Sequence, residues 1–387
     1  MTDSAEAYQP DATGSQTWSV AAARRHLVLL VPGDLHARTG GYGYDRAIIN
    51  GLRALEWQVE VCALDGSYPW PTPEARRHTA EQLAALPDGT LVLADGLAFG
   101  AMPDDAERHG SRLRLVALVH HPLALERGLT VEQSAELFAS EQRALRCVRG
   151  VVVTSAATVH TLHPYGVDPE KVVVVPPGTH AAPEAKGWRG IGADLRRDRP
   201  VVLLCVASIT PRKGHRLLLQ ALQRLTGPVS WRLRIAGNEL MDAATARALR
   251  DQVTEAGLDA QVEFLGELSA AALSEAYEHA DAFVLPTYFE GYGMAVAEAV
   301  AHGLPVISTR TGAIPDLVDE QSGLIVDPGD AEHLHHAVRA LIGDDALRER
   351  LTLGARRRRG DVPRWSDSAR LMAAALDRWR HDGIIQR

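Results

Sequence analysis

Along this chain short apolar runs alternate with segments of helical period, and the whole alternation occurs twice. The runs His26–Val31, Val59–Leu64, Thr90–Ala94, Leu113–Val119, Val151–Val153 and Lys171–Val175 are mostly valine and leucine, without the polar–apolar alternation of a half-exposed strand. That pattern predicts buried parallel strands covered by helices on both faces. Segments near Tyr44–Leu55, Val131–Val148 and Ala156–Leu162 read as helices between them. From 181 to 199 the chain turns charged, carries Gly and Pro and loses its apolar period, which predicts a linker. The alternation then restarts. Strands are predicted at Val201–Val206, Trp231–Ala236, Val262–Leu265, Ala282–Leu285 and Pro305–Ser308, and helices near Gly214–Leu225, Ala243–Ala256, Ala270–His279 and Glu332–Ile342. A last helix, Ser366–Trp379, collects Leu371, Met372, Ala375 and Leu376 on one face. The expected fold class is α/β: two doubly wound Rossmann-like domains, 23–180 and 200–363, facing a central cleft, with 364–387 as a terminal helical segment.

Composition bounds the function without choosing it. The 387 residues suffice for two cores. The net charge of −8, from 41 basic and 49 acidic residues, gives no electrostatic footprint for nucleic acid. Cys62, Cys147 and Cys205 are widely spaced, and the first and last sit in apolar runs. They read as small hydrophobes of a reducing compartment, and no zinc spacing is present. Residues 1–22 are polar and acidic and read as a disordered tail without a signal-peptide pattern. No apolar run is long enough to span a membrane, so the cytosol is the expected location. Arg356–Arg359 is the one dense basic cluster. It reads as a solvated helix end, with a peripheral membrane contact near a lipid-linked acceptor as the other reading.

The chemistry concentrates at the carboxyl ends of predicted strands, where open α/β sheets bind ligands. Glu290-Gly-Tyr-Gly-Met-Ala-Val-Ala-Glu298 follows the apolar run ending at Pro286 and leads into a helix. Glu290 then sits on the loop and Glu298 inside the helix. Were the step fully helical, the two would lie about 12 Å apart at ~1.5 Å per residue. Glycosidase carboxylate pairs lie about 5–9.5 Å apart. The longer spacing suits gripping two ends of an elongated ligand, with backbone N–H groups of Gly291, Tyr292 and Gly293 facing an anion. Pro211-Arg212-Lys213-Gly214 follows another strand and offers two cations to phosphate. Arg38-Thr39-Gly40-Gly41-Tyr42-Gly43 follows the first strand, and its glycines permit close ligand approach. It matches neither the dinucleotide nor the P-loop spacing. His120-His121-Pro122 ends the fourth strand, and Pro122 restricts His121 so that the two rings point apart. Val153-Thr154-Ser155 and Pro176-Pro177-Gly178 end the next two strands and read as structural. His333, His335 and His336 read as surface histidines of a late helix. Asp104-Asp105 and Asp344-Asp345 sit in polar, turn-like stretches, and no Asp-x-Asp follows a strand.

Together with Ala301-His-Gly-Leu-Pro-Val-Ile-Ser308, Thr311-Gly-Ala-Ile-Pro315 and Gly323-Leu-Ile-Val-Asp-Pro328, the Glu290–Glu298 segment resembles the E-x7-E signature of the retaining GT-B glycosyltransferases of family 4. The resemblance runs from about His26 to Trp379. It implies a GT-B fold whose last helix crosses back onto the first domain, and a retaining, metal-independent transfer of sugar from a nucleoside-diphosphate sugar to a hydroxyl acceptor. In the implied roles Glu298 binds ribose, Glu290 the sugar, and Lys213 with Arg212 the diphosphate. Gly41 and His120 approach from the facing domain, and no metal or cofactor is needed. Family members carry Gly-Arg several residues before Lys-Gly, where this chain has Ala207 and Ser208. The role of that arginine does not carry over; Arg212, or Ser208 with backbone N–H groups, takes its place. A sugar-nucleotide epimerase of the same fold and a non-catalytic binding protein stay open. A pyridoxal-dependent phosphorylase lacks its lysine, since Lys171, Lys186 and Lys213 are the only ones and none has a matching context.

Overall fold

A computed structural model describes residues 25–186, 199–225 and 230–381. The tail expected at 1–22 and most of the 181–199 linker lie outside the described residues. The first sheet comprises β1 (His26–Pro32), β2 (Gln58–Leu64), β3 (Leu91–Asp95), β4 (Arg114–Val119), β5 (Gly150–Val153) and β6 (Val172–Val174). The second comprises β7 (Val201–Val206), β8 (Trp231–Ala236), β9 (Val262–Gly266), β10 (Ala282–Leu285), β11 (Val306–Thr309) and β12 (Gly323–Val326). All pairings are parallel, in the orders β2-β1-β3-β4-β5-β6 and β12-β11-β10-β7-β8-β9. The chain reverses direction across each sheet between β1 and β3, and between β7 and β10. Those two switch points open the crevices that hold ligands in such sheets.

The helices of the first unit are α1 (Gly40–Ala54), α2 (Pro73–Ala85), α3 (Gly96–Phe99), α4 (Pro103–His109), α5 (Val131–Leu145) and α6 (Ala156–Thr161). Those of the second are α7 (His215–Gln223), α8 (Ala243–Glu255), α9 (Ala270–Glu278), α10 (Met294–Ala301), α11 (Ile314–Leu317), α12 (Ala331–Gly343) and α13 (Asp345–Arg358), with α14 (Trp365–Trp379) last. The strands read as continuous apolar runs because both of their faces are covered. Val28, Leu30, Val92, Ala94, Leu115 and Ala117 feed one buried cluster. Their neighbours Leu27, Leu29, Leu91, Leu93, Val116 and Leu118 feed another on the opposite face.

That second cluster explains where α14 packs. Met372, Ala375, Leu376 and Trp379 of α14 join Ile48, Ile49 and Leu52 of α1 on the first domain's outer face. The close crossing depends on small residues. A Cβ on Gly51 would lie 2.4 Å from Ala369, and one on Gly150 would lie 2.1 Å from the Trp379 ring. Met372, Leu376 and Trp379 are all buried, each contributing roughly 1.5–3 kcal/mol.

Some sequence expectations fail here. Arg356–Arg359 is not a free basic patch. Arg356 pairs with Glu184 at 2.6 Å and donates to the Ala185 carbonyl, and Arg359 pairs with Glu184 and donates to Ala182 and Ala301 carbonyls. Arg358 pairs with Asp319, so three of the four arginines tie α13 to neighbouring segments and Arg357 alone is exposed. His335 is buried, with Nδ1 at 2.9 Å from the Ala221 carbonyl, so only His333 and His336 fit the surface reading. Asp104-Asp105 opens α4 and Asp344 caps α13, so neither pair is a plain turn. The Gly40-Gly41 stretch is not a loop either: it is the first turn of α1, capped by Thr39.

Candidate active site

The loop after β7 ends in a short turn, Pro211–Lys213, closed by Gly214 in the left-handed conformation (φ +73°). A Cβ on Gly214 would lie 2.0 Å from the Pro286 carbonyl oxygen, so only glycine lets this loop ride against the end of β10. The contact is then fastened. Tyr288 N donates to the Arg212 carbonyl at 2.8 Å, and Thr287 Oγ1 lies 3.1 Å from the same oxygen. Arg212 and Lys213 are thereby delivered to the E-x7-E loop. Lys213 Nζ donates to Glu290 Oε1 at 2.5 Å, Arg212 Nη1 lies 3.7 Å from the same oxygen, and Nη1 also donates to the Phe289 carbonyl at 2.8 Å. Burial alone would raise the Glu290 pKa, but Lys213 and then Arg212 outweigh it and hold the carboxyl below its usual range. Ser208 lies upstream on the same loop, half-buried.

Glu298 projects from α10 and accepts from the Tyr277 hydroxyl at 3.0 Å. Burial raises its pKa, and the Tyr277 bond offsets part of that. Gly293 caps α10 in a left-handed conformation, so the free N–H groups of the helix start open beside Glu290. Tyr292 points the other way: its side chain is buried in the second domain's core.

The two domains meet over this site. A Cβ on Gly291 would lie 2.3 Å from the His120 carbonyl oxygen, and Ser155, the cap of α6, donates Oγ–H to the Gly291 carbonyl at 2.8 Å. Met294 at the start of α10 reaches the start of α1: its Sδ would be 3.8 Å from a Cβ on Gly40. Further out, Arg38 Nη1 donates to the Leu268 carbonyl at 2.7 Å. Glu126, on the segment between β4 and α5, lies 3.3 Å from Arg212 Nε and 3.3 Å from His121 Nε2. Arg127 stacks over the Tyr288 ring at 3.8 Å, and the rings of His121 and Phe289 lie 5.7 Å apart.

His120 faces the same space from the end of β4. A Cβ on Gly41 would lie 3.7 Å from its Nε2, and the Tyr44 ring packs edge-on at 5.3 Å. Its Nε2 lies 3.7 Å from Asp45 Oδ1 and 3.6 Å from Asp95 Oδ2. His120 and His121 therefore have separate partners. Asp45, Asp95 and His120 are the one group among the described residues whose donor atoms all lie within 4.8 Å of each other. Both carboxylates converge on a single ring nitrogen at ion-pair distance.

The sequence expectations brought Lys213, Arg212, Glu290, Glu298, Gly291, Gly41 and His120 to this cleft but missed Asp45, Asp95, Glu126 and Tyr277. Asp95 had a signal: it ends the apolar run Leu91-Val-Leu-Ala and precedes Gly96. Asp45 had a subtler one, sharing a helix face with Ile48, Ile49 and Leu52, where a carboxylate is out of place. Glu126 and Tyr277 have no local signal, because their partners lie in distant segments.

Comparison with known proteins bears on this arrangement. Residues 192–358 match the family described as glycosyl transferases group 1, and residues 91–182 match glycosyltransferase family 4. A D-inositol 3-phosphate glycosyltransferase of Corynebacterium efficiens is 30% identical over 209 residues, 52% of this chain and 49% of that protein. The protein of the same name from Geodermatophilus obscurus is 30% identical over 282 residues, 66% of this chain and 60% of its own length. The matched region thus spans about half to three-fifths of these relatives. Among solved structures, sucrose-phosphate synthase from Thermosynechococcus elongatus superposes with a TM-score of 0.77 at 21% identity, covering 92% of this chain and 99% of that one. Anabaena HepE, solved with UDP-glucose, gives a TM-score of 0.73 at 16% identity, covering 91% and 99%. With these matches and its two facing parallel sheets, the chain has the GT-B fold and resembles the glycosyltransferases of family 4.

Proposed function

We propose that the protein is a retaining, metal-independent glycosyltransferase that moves a hexose from a nucleoside-diphosphate sugar to a hydroxyl acceptor. The observation that carries the reading is the convergence of Lys213 and Arg212 on Glu290 at the switch point between β7 and β10, beside the open N-terminus of α10. A departing diphosphate needs fixed positive charge, and two cations with oriented N–H groups supply it without a metal ion. Lys213 and Arg212 would turn from Glu290 to the diphosphate, freeing the Glu290 carboxylate for sugar hydroxyls. Glu298, oriented by Tyr277, would accept from both ribose hydroxyls. The C1–O bond to phosphate breaks, the acceptor oxygen bonds C1 on the same face, and the acceptor proton passes to the leaving phosphate oxygen. No side chain needs to serve as base. Domain contact over the site would exclude water and suppress hydrolysis. The UDP-glucose held by Anabaena HepE and the glycosyltransferase names of the relatives support a nucleotide-sugar donor. No described helix is long and apolar enough to cross a membrane. Three of the four arginines of the basic cluster are engaged internally, which leaves Arg357 as its exposed member.

The test is to incubate the protein with a panel of sugar nucleotides and candidate acceptors, scoring nucleoside diphosphate release and the anomeric form of the product. Turnover that survives EDTA, with the donor's anomeric configuration retained, is expected. Activity lost to EDTA and restored by Mg²⁺ or Mn²⁺ would refute neutralisation by Lys213 and Arg212. An inverted product would refute same-face transfer.

A further inference from the structure

His120 Nε2 faces two carboxylates at ion-pair distance, 3.7 Å from Asp45 Oδ1 and 3.6 Å from Asp95 Oδ2, with no direct hydrogen bond to either. Asp45 is 1% exposed and Asp95 4%, and the two approach Nε2 from α1 and from the end of β3. Asp95 Oδ1 is already used, accepting from Leu97 N at 2.7 Å, so Oδ2 is the oxygen left for the ring. Neither oxygen of Asp45 has a conventional hydrogen bond among the described residues. Asp45, which has no donor, and the second oxygen of Asp95 therefore call for a compensating positive charge between them. The ring supplies it: Nε2 is fully covered while the side chain as a whole keeps 23% of its exposure, so the accessible part of the ring is turned to the cleft.

We propose that Asp45 and Asp95 are positioning residues that hold Nε2–H of His120 between them, so that the ring stays doubly protonated and presents Nδ1–H to the cleft as a fixed cationic donor. This rests on the transferase reading above, in which an oxygen of the bound sugar nucleotide is the acceptor. It makes His120 unable to act as a base, which agrees with a reaction whose proton leaves on phosphate.

The surroundings are consistent with that charge. The titratable groups against the ring are Asp45 and Tyr44 from α1 and Asp95 from β3. Tyr44 stays neutral, since burial pushes its pKa well above its usual value while its hydroxyl donates to the Val175 carbonyl. From the second domain only the Gly291 backbone abuts the His120 backbone, and the neighbouring Glu290 is neutralised by Lys213. Burial alone would push the His120 pKa down, but Asp45 and Asp95 outweigh that and raise it to about 10.

The experiment is a pH titration of the histidine side chains by ¹⁵N NMR on the full chain, with His120 assigned by its loss in His120→Gln. Wild-type His120 should keep both ring protons above pH 8. In Asp45→Asn/Asp95→Asn burial is unopposed, so it should titrate at or below the ordinary value of about 6.5. Activity supplies a second readout. At pH 8.5 the double variant should lose at least on the order of 100-fold in kcat, because a ring with pKa ~6.5 or lower is then at most about 1% protonated. At pH 6 it should lose far less, with donor KM nearly unchanged. Each single Asn variant, which keeps the shape, should shift the midpoint part of the way, so the test survives if the double variant fails to fold. A wild-type His120 that titrates near 6.5, or whose Nε2 carries no proton, overturns the proposal. The NMR result stands whether or not any sugar nucleotide turns over, so failure of the transferase reading is seen separately.

Discussion

At the scale of single residues the site is a set of charges whose partners are already present before any ligand arrives. Lys213 is the tightest case. Its ammonium neutralises the buried Glu290, and in the proposed reaction it would also hold the diphosphate. Lys213→Ala should therefore lower turnover by about 3–4 kcal/mol, the size of a lost transition-state donor, and should let the Glu290 pKa rise. Steady-state kinetics on a folded variant checks the first part; turnover within twofold of wild type would remove Lys213 from the leaving-group site. Glu298→Gln keeps shape but weakens a charge-assisted bond, so donor affinity should fall about 10- to 100-fold, or ~1.5–3 kcal/mol, by calorimetry. These residues were legible because chemistry at a strand's carboxyl end stands out against apolar runs. Asp45 was harder to read, because a lone carboxylate on the apolar stripe of Ile48, Ile49 and Leu52 does not say what it faces until the fold places Asp95 and His120 beside it. The Arg212 assignment was legible as charge but not as geometry: the family resemblance implies an arginine where the chain has Ser208, and the Arg212 guanidinium is shared with Glu126.

At the scale of elements, the sequence pattern located most strands within one or two residues. The reason is physical: a strand buried on both faces has no polar alternation to blur its ends. Helices with little apolar surface escaped. α2 buries only Ala75, Thr79 and Leu83, and its clearest mark is the start signal Thr72-Pro73-Glu74, a capping Thr before a first-turn proline. β12 appeared as a motif and not as a strand. The crossing of α14 onto α1 and β5 depends on glycines whose purpose no sequence period exposes. Gly150→Ala tests it: the new methyl would occupy space held by the Trp379 ring and push α14 away from β5. A loss of about 1–3 kcal/mol in unfolding free energy is expected, within the range for overpacking. A denaturant midpoint equal to wild type would mean that Trp379 moves aside at no cost.

At the scale of the whole molecule, the contacts between domains gather on the ligand-bearing edge. Ser155 reaches Gly291, Arg38 reaches Leu268, and Glu126 reaches Arg212, so the described state is a closed one. The Glu126–Arg212 pair matters most because Arg212 is also a diphosphate ligand in the proposed reaction. Closure and donor binding then draw on the same guanidinium. Burial alone would raise the Glu126 pKa, but its bond to His121 and the charge of Arg212 outweigh it and lower it to about 2. A depressed carboxylate contributes stability that is present above its ordinary pKa near 4.5 and lost as pH falls through about 2. The latch should therefore be constant across pH 5–9, and any pH dependence of closure in that window must come from elsewhere. Glu126→Gln with Ser155→Ala removes two of the polar contacts between the domains. In solution scattering the radius of gyration of the ligand-free double variant should exceed that of wild type, and a bound nucleotide sugar should bring it back. Releasing Arg212 from Glu126 should also raise donor affinity by a few-fold in the single Glu126→Gln variant, since one competing partner is gone. If the double variant scatters like wild type and Glu126→Gln binds donor no better, closure is carried by the remaining contacts, such as Gly291 against His120 and Arg38 on Leu268, and Glu126 has no part in it.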